Sequence, residues 1–220
     1  MHHELRDFPD ADDVATAAAD YVAECSRRSI ETSGRFRFAV SGGRTPWSMF
    51  EKLAQMDIAW SEVVLYQVDE RIAPLGDATR NLTNLERSLG KRRPTIVAMP
   101  VNDDDLDAAA ASYAGQLPQR FDLVHLGLGP DGHTASLIPG DPVLKVRETL
   151  VAVTGVYQGE QRMTLTYDAL SRADQLLWLV TGADKRTALS ALLRGDDSIP
   201  ASGVVAAASL VMADDAALTP

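Results

Sequence analysis

FDLVHLGLGPDGHTASLIP, residues 121–139, is the stretch on which the reading of this chain turns. Its opening residues, FDLVH, form a short apolar run of strand length, after which Gly127, Gly129 and Gly132 break the pattern. The sequence predicts a buried strand, a tight turn and then a helix, with His133 where the turn becomes the helix. The glycines leave the backbone bare enough for a ligand to approach, and Thr134 and Ser136 can satisfy the free groups of a helix start. Such turns are ordinary in α/β proteins, so this segment alone leaves His133 either a surface cap or a presented imidazole.

Two further segments have the same form. FAVSGGRTPWSMF at 38–50 is again an apolar strand, two glycines and an amphipathic helix, with Thr45 as the expected N-cap and Pro46 in the first turn. The free N–H groups and positive dipole end of that helix suit a phosphate. The loop has neither the Gly-Lys-Ser/Thr ending of a Walker A loop nor the G-x-G-x-x-G spacing of a dinucleotide site. VVLYQVDERIAP at 63–74 sets Asp69, Glu70 and Arg71 directly after apolar residues, where open α/β sheets place ligand contacts. Three strand ends thus point to one site.

Around these segments helical and strand signals alternate. Helices are expected over 12–32, 46–56, 82–90, 105–116, 167–172 and 184–194. Strands are expected over 35–40, 62–68, 95–98, 121–127, near 149–154, and over 162–166 and 175–181. The alternation predicts an α/β fold of Rossmann-like form: a single domain spanning 1–220, whose mostly parallel sheet carries helices on both faces. Asp103–Asp105 and Asp214–Asp215 are read as helix-start carboxylates, since neither cluster has the spaced ligands of a calcium loop. No His/Cys pairing suggests zinc, and no metal site is expected.

Composition narrows the function. The formal charge of −10 lacks the basic footprint that nucleic acid calls for. The longest apolar run, VVAAASLVMA at 204–213, is far short of a membrane span. MHHELRDF lacks the order of a signal peptide, and the lone Cys25 allows no intrachain disulfide, so a reducing, cytoplasmic location is expected. Arg44, Arg71, Arg80, Arg162 and Lys185 all fall near the three strand ends, which predicts a small basic pocket on an acidic surface.

On SGGRTP at 41–46, DER at 69–71 and GLGPDGHTASLIP at 127–139, the chain resembles the 6-phosphogluconolactonase family. The likeness runs on through Arg80-Asn81, the helix from Asn84 to Leu89, RMTLT at 162–166 and TGADK at 181–185. It implies hydrolysis of 6-phospho-D-glucono-1,5-lactone to 6-phosphogluconate in the oxidative pentose phosphate pathway, without a cofactor. It also implies that Gly42, Gly43, Arg71 and Lys185 contact phosphate or sugar, with Thr45 in the same loop. Arg44 stands where the family more often has Ser or Thr, leaving open whether the loop binds phosphate by backbone alone or with a guanidinium. Arg162 suits the substrate or a carboxylate partner equally. Amino-sugar-phosphate deaminases and isomerases share the SGG-x-TP loop but read Ala-Phe-Asn-Glu-Pro after their Gly-His-x, where this chain has Ala-Ser-Leu-Ile-Pro. A non-catalytic sugar-phosphate sensor is the other alternative, although no DNA-binding module fits here.

Lactone hydrolysis needs a water deprotonated as it attacks and donors for the oxyanion that forms. One general base, contributing about 10²–10⁴ in rate, suffices for so activated an ester. His133 is the expected base; its reference pKa of about 6.5 suits neutral pH, and a helix N-terminus would favour the neutral ring. Asp69 or Asp131 orients the imidazole, and the sequence does not choose between them. Ser136 as a nucleophile is disfavoured by the absence of a G-x-S-x-G elbow. Oligomeric state is not legible.

Overall fold

The computed structural model describes residues 2–219. In chain order the elements are β1 (Glu4–Phe8), α1 (Ala11–Ser33), β2 (Phe36–Val40), α2 (Arg44–Leu53), β3 (Val63–Gln67), β4 (Asp69–Arg71), α3 (Asn81–Leu89), β5 (Thr95–Val97), α4 (Leu106–Ala114), β6 (Leu123–Gly127), β7 (Val151–Val153), β8 (Arg162–Leu165), α5 (Tyr167–Leu170), β9 (Gln175–Val180), α6 (Arg186–Arg194), β10 (Ala208–Asp214) and α7 (Asp215–Leu218). Seven strands form a wholly parallel sheet in the order β1-β10-β9-β6-β2-β3-β5. A second, antiparallel sheet, β4-β8-β7, was not foreseen.

The central strands are apolar on both faces, as a sheet covered by helices on each side requires. Alternate residues divide into two cores. Phe36, Phe38, Leu65, Leu123 and Leu177 meet α1, α2 and α3 through Val14, Ala18, Met49, Phe50 and Leu85. Tyr66, Val124, Leu126, Trp178 and Val211 meet the opposite layer through Tyr113, Leu189, Leu192 and Ala217. The long helix α1 starts on Asp10, whose carboxylate accepts from the N–H groups of Asp12 and Asp13. It stops at Gly34, where φ is +74°. Its buried Ala15, Ala18 and Ala19 let the helix lie close to the sheet. Asp105 and Asp214 are the N-caps of α4 and α7, as expected of those acidic clusters.

Several expectations are corrected. No helix follows His133; residues 128–140 are turns. Thr134 and Ser136 do not cap anything there: Thr134 Oγ1 donates to the Gly127 carbonyl at 2.8 Å, and Ser136 Oγ donates to Asp69 Oδ2 at 2.7 Å. Ala135 sits at φ +49°, outside the helical region. Tertiary partners have thus taken the groups that a helix would have used. Thr45 is not the N-cap of α2 either. The helix begins two residues earlier than expected, at Arg44, capped by Gly43 without a side-chain bond. The edge strand β1 was missed because ELRDF is exposed and carries no apolar alternation; β10 was noted merely as an apolar run.

Candidate active site

Strands β2 and β6 are neighbours, yet the chain leaves them in opposite directions: β2 leads on to β3 and β5, whereas β6 leads on to β9 and β10. At such a switch point the loops beyond the strands' carboxyl ends diverge and open a crevice. Here a cavity of about 710 Å³ occupies that position. Of the residues expected at the site, Gly42, Gly43, Arg44, Thr45, Asp69, Arg71, His133, Arg162 and Lys185 line it; Asp131 stands behind His133, and Arg80, expected in the basic pocket, is instead buried against Glu70.

The loop after β2 is built to expose backbone. A Cβ at Gly42 would overlap Asn81 Oδ1, and Gly43 holds φ +137°. Because no side chain caps α2, its first N–H groups remain available to an anion. Ser41 N–H is anchored by Nδ1 of His125 at 3.3 Å. His125 is fully buried, and burial pushes its pKa down to about 3, so it stays a neutral acceptor. Thr45 Oγ1 and Thr181 Oγ1 lie 2.7 Å apart, which ties this loop to the end of β9. Beyond β9, Lys185 closes a single 3₁₀ turn ahead of α6 and pairs with Asp184 at 3.0 Å. Arg44 is exposed at the rim of the cavity.

The loop after β6 presents the imidazole. Asp131 Oδ1 lies 2.5 Å from His133 Nδ1 and also accepts the His133 backbone N–H at 3.2 Å. Tyr157 donates its hydroxyl to the other Asp131 oxygen at 3.0 Å, and its ring meets that of His133 edge-on at 5.7 Å. Partial burial opposes the Asp131 charge, but the bonds from His133 and Tyr157 prevail and hold its carboxyl below the ordinary value. A carboxylate on Nδ1 fixes the Nδ1–H tautomer and leaves Nε2 with the lone pair. Of the two aspartates, it is Asp131 that meets the imidazole. Asp69 is engaged by Ser136 and by Asn81 Nδ2 at 3.2 Å; burial in the cavity wall raises its pKa.

Gly129 fits this arrangement closely. A Cβ there would overlap the His133 ring and crowd Asp131 Oδ1. Gly129→Ala is therefore expected to lower kcat at least tenfold, because small misplacements of a reacting group are costly. Steady-state kinetics beside a thermal melt would check this, with the melt staying near wild type.

Below Arg71 lies a buried ion pair. Glu70 is wholly buried and accepts from Arg80 Nε at 3.3 Å, Gln67 Nε2 at 2.9 Å, and the N–H groups of Arg71, Asn81 and Leu82 at 2.8–2.9 Å. It thereby caps α3 and fixes β4, so that Asp69 and Arg71 face the cavity. Sequence reasoning grouped Glu70 with its neighbours and missed this role. It also missed Tyr157, Gln158 and Glu160, whose loop joins β7 to β8 and whose one local signal is Gly159 in a two-residue turn.

The profile of the family described as glucosamine-6-phosphate isomerases/6-phosphogluconolactonase matches residues 9–212. The chain belongs to this family. Within it, a 6-phosphogluconolactonase of Mesorhizobium japonicum is 34% identical over 213 residues, covering 91% of this chain and 90% of the relative. The crystal structure of a 6-phosphogluconolactonase from Thermotoga maritima superposes with a TM-score of 0.87 at 25% identity, covering 97% of this chain and all of the other. A monomeric glucosamine-6-phosphate deaminase superposes with a TM-score of 0.85 over 97% of this chain and 98% of its own, but at 17% identity it shares the fold alone. No helix among the described residues is long and apolar enough to cross a membrane. Nor do three or more His, Cys, Asp or Glu side chains among them gather as a metal's ligands would.

Proposed function

We propose that this protein hydrolyses 6-phosphogluconolactone to 6-phosphogluconate, with His133 as the general base. The observation that carries the reading is the Tyr157–Asp131–His133 chain at the mouth of a cavity whose other walls present an uncapped helix start and Lys185. The names of the relatives support the same substrate. His133 Nε2 takes a proton from water as the water attacks the lactone carbonyl. The imidazolium that forms is stabilised by the Asp131 carboxylate. The negative charge on the carbonyl oxygen needs donors, which the basic side chains in the wall supply. As the tetrahedral intermediate collapses, the imidazolium returns its proton to the ring oxygen, which leaves as the C5 hydroxyl.

The phosphate is assigned to the Ser41–Thr45 loop and Lys185, with Arg71 and Arg162 facing the same cavity as further partners. A charge-assisted bond contributes about 1.5–3 kcal/mol, so its loss weakens binding roughly 10- to 100-fold. Lys185→Ala is expected to raise KM for the phosphorylated lactone by that factor and to leave KM for unphosphorylated gluconolactone nearly unchanged. Equal losses on both substrates would remove Lys185 from phosphate recognition. Arg44→Ala should have a smaller effect, since the exposed guanidinium supplements backbone donors already in place.

The reaction is proposed to need no metal, because no ligand set comes together among the described residues and an activated ester requires no Lewis acid. Activity should persist through prolonged EDTA treatment; a loss restored by zinc or magnesium would contradict this. Offered glucosamine 6-phosphate instead, the protein should release no ammonia, since the segment after Gly132-His133 departs from the deaminase pattern.

A further inference from the structure

The hairpin between β7 and β8 meets the cavity with its tip. Tyr157 and Glu160 exchange backbone hydrogen bonds at 2.9 and 3.1 Å across a turn of Gln158, at φ +53°, and Gly159, at φ +81°. Residues that face each other across such a two-residue turn project from the same side of the hairpin. Tyr157 reaches Asp131, while Glu160 reaches two arginines. Arg71 and Arg162 are direct register partners on β4 and β8, and like charges placed opposite one another repel. Glu160 Oε2 lies 2.9 Å from Arg71 Nε and 3.7 Å from Arg162 Nη2. The carboxylate does not saturate them. Arg162 has a side chain only 7% exposed, its Nε finds no hydrogen-bond partner among the described residues, and its guanidinium lies over the Tyr157 ring at 5.2 Å. All three charged groups line the cavity.

We propose that Glu160 is a resident counter-anion that holds Arg71 and Arg162 together when no ligand is bound and competes with a ligand's phosphate for them, lowering the affinity of phosphorylated ligands by the fraction of time it occupies the pair. The inference rests on the proposed function in taking the ligand to be a sugar phosphate. A carboxylate tethered by a tight turn acts at a high local concentration. A sugar acid without a phosphate leaves the arginines to Glu160, so its affinity depends little on that residue. A phosphate monoester brings more charge and three acceptor oxygens and takes the arginines from it. When the product departs, Glu160 closes on them again.

Glu160→Gln keeps the shape of the side chain and removes its charge. Wild type and variant would be titrated calorimetrically with gluconate and with 6-phosphogluconate, neither of which requires turnover. The variant is expected to bind 6-phosphogluconate at least tenfold more tightly and gluconate, which has no phosphate with which to displace Glu160, no more than about threefold more tightly. Unchanged or weaker 6-phosphogluconate binding would overturn the inference, and so would equal gains for both ligands. Should the glutamine variant fail to fold, Glu160→Asp, with a shorter reach, must show the same selective gain in smaller measure, and its absence would count against the inference equally. Lactone turnover, assayed separately, reports on the proposed function: a variant that tightens on 6-phosphogluconate in a protein that opens no lactone would sustain this inference and refute that reading.

Discussion

Replacing His133 by asparagine is expected to lower kcat on 6-phosphogluconolactone by about 10²–10⁴, the range for losing a general base, while KM stays within about threefold. Asparagine keeps a polar side chain near Asp131 but cannot take a proton. The cavity wall is otherwise undisturbed, since His133 is held by Asp131 and Tyr157 and carries no core packing of its own. The kcat measurement must subtract the spontaneous opening of the lactone. A variant that keeps more than about a third of wild-type kcat would remove His133 from the mechanism.

Glu70→Ala is expected to be the most damaging substitution for stability, at about 3–5 kcal/mol. Breaking a buried ion pair leaves the partner charge without compensation, and Arg80 is 1% exposed. The loss extends beyond the pair. The backbone N–H groups of Asn81 and Leu82, at the start of α3, would have no acceptor, and β4 would lose the contact that sets its direction. Urea denaturation of the variant measures this directly. A change below about 1 kcal/mol would show that Glu70 does not anchor the loop. Because Asp69 and Arg71 depend on that anchor, activity should fall together with stability.

The three strand ends were legible because each abrupt passage from apolar residues to glycine or charge marks a carboxyl end facing a crevice. Gly42, Asp69, Arg71 and His133 could be gathered on that basis before any geometry was known, and Lys185 through the resemblance carried by TGADK at 181–185. The choice between Asp69 and Asp131 was not legible: Asp131 is close to the imidazole in the chain and Asp69 ends another strand at the same crevice, and separating them takes the position of Ser136, which engages Asp69. The helix expected after His133 failed for a related reason. Thr134 and Ser136 have the chemistry of capping residues, but the Gly127 carbonyl and the Asp69 carboxylate, held by other strands, are the partners they found. The small sheet β4-β8-β7 was hidden because Asp69–Arg71 is three residues long and reads as the frayed end of β3. With it went the hairpin tip that carries Tyr157 and Glu160, whose importance lies wholly in contacts distant in sequence.

The most direct test of the account is the rate at which the purified protein, held in EDTA, opens freshly prepared 6-phosphogluconolactone, followed as the acid released above the uncatalysed background. The prediction is a rate proportional to protein concentration, saturable, and nearly abolished in His133→Asn. A rate no faster than the background, or ammonia release from glucosamine 6-phosphate in its place, would contradict it.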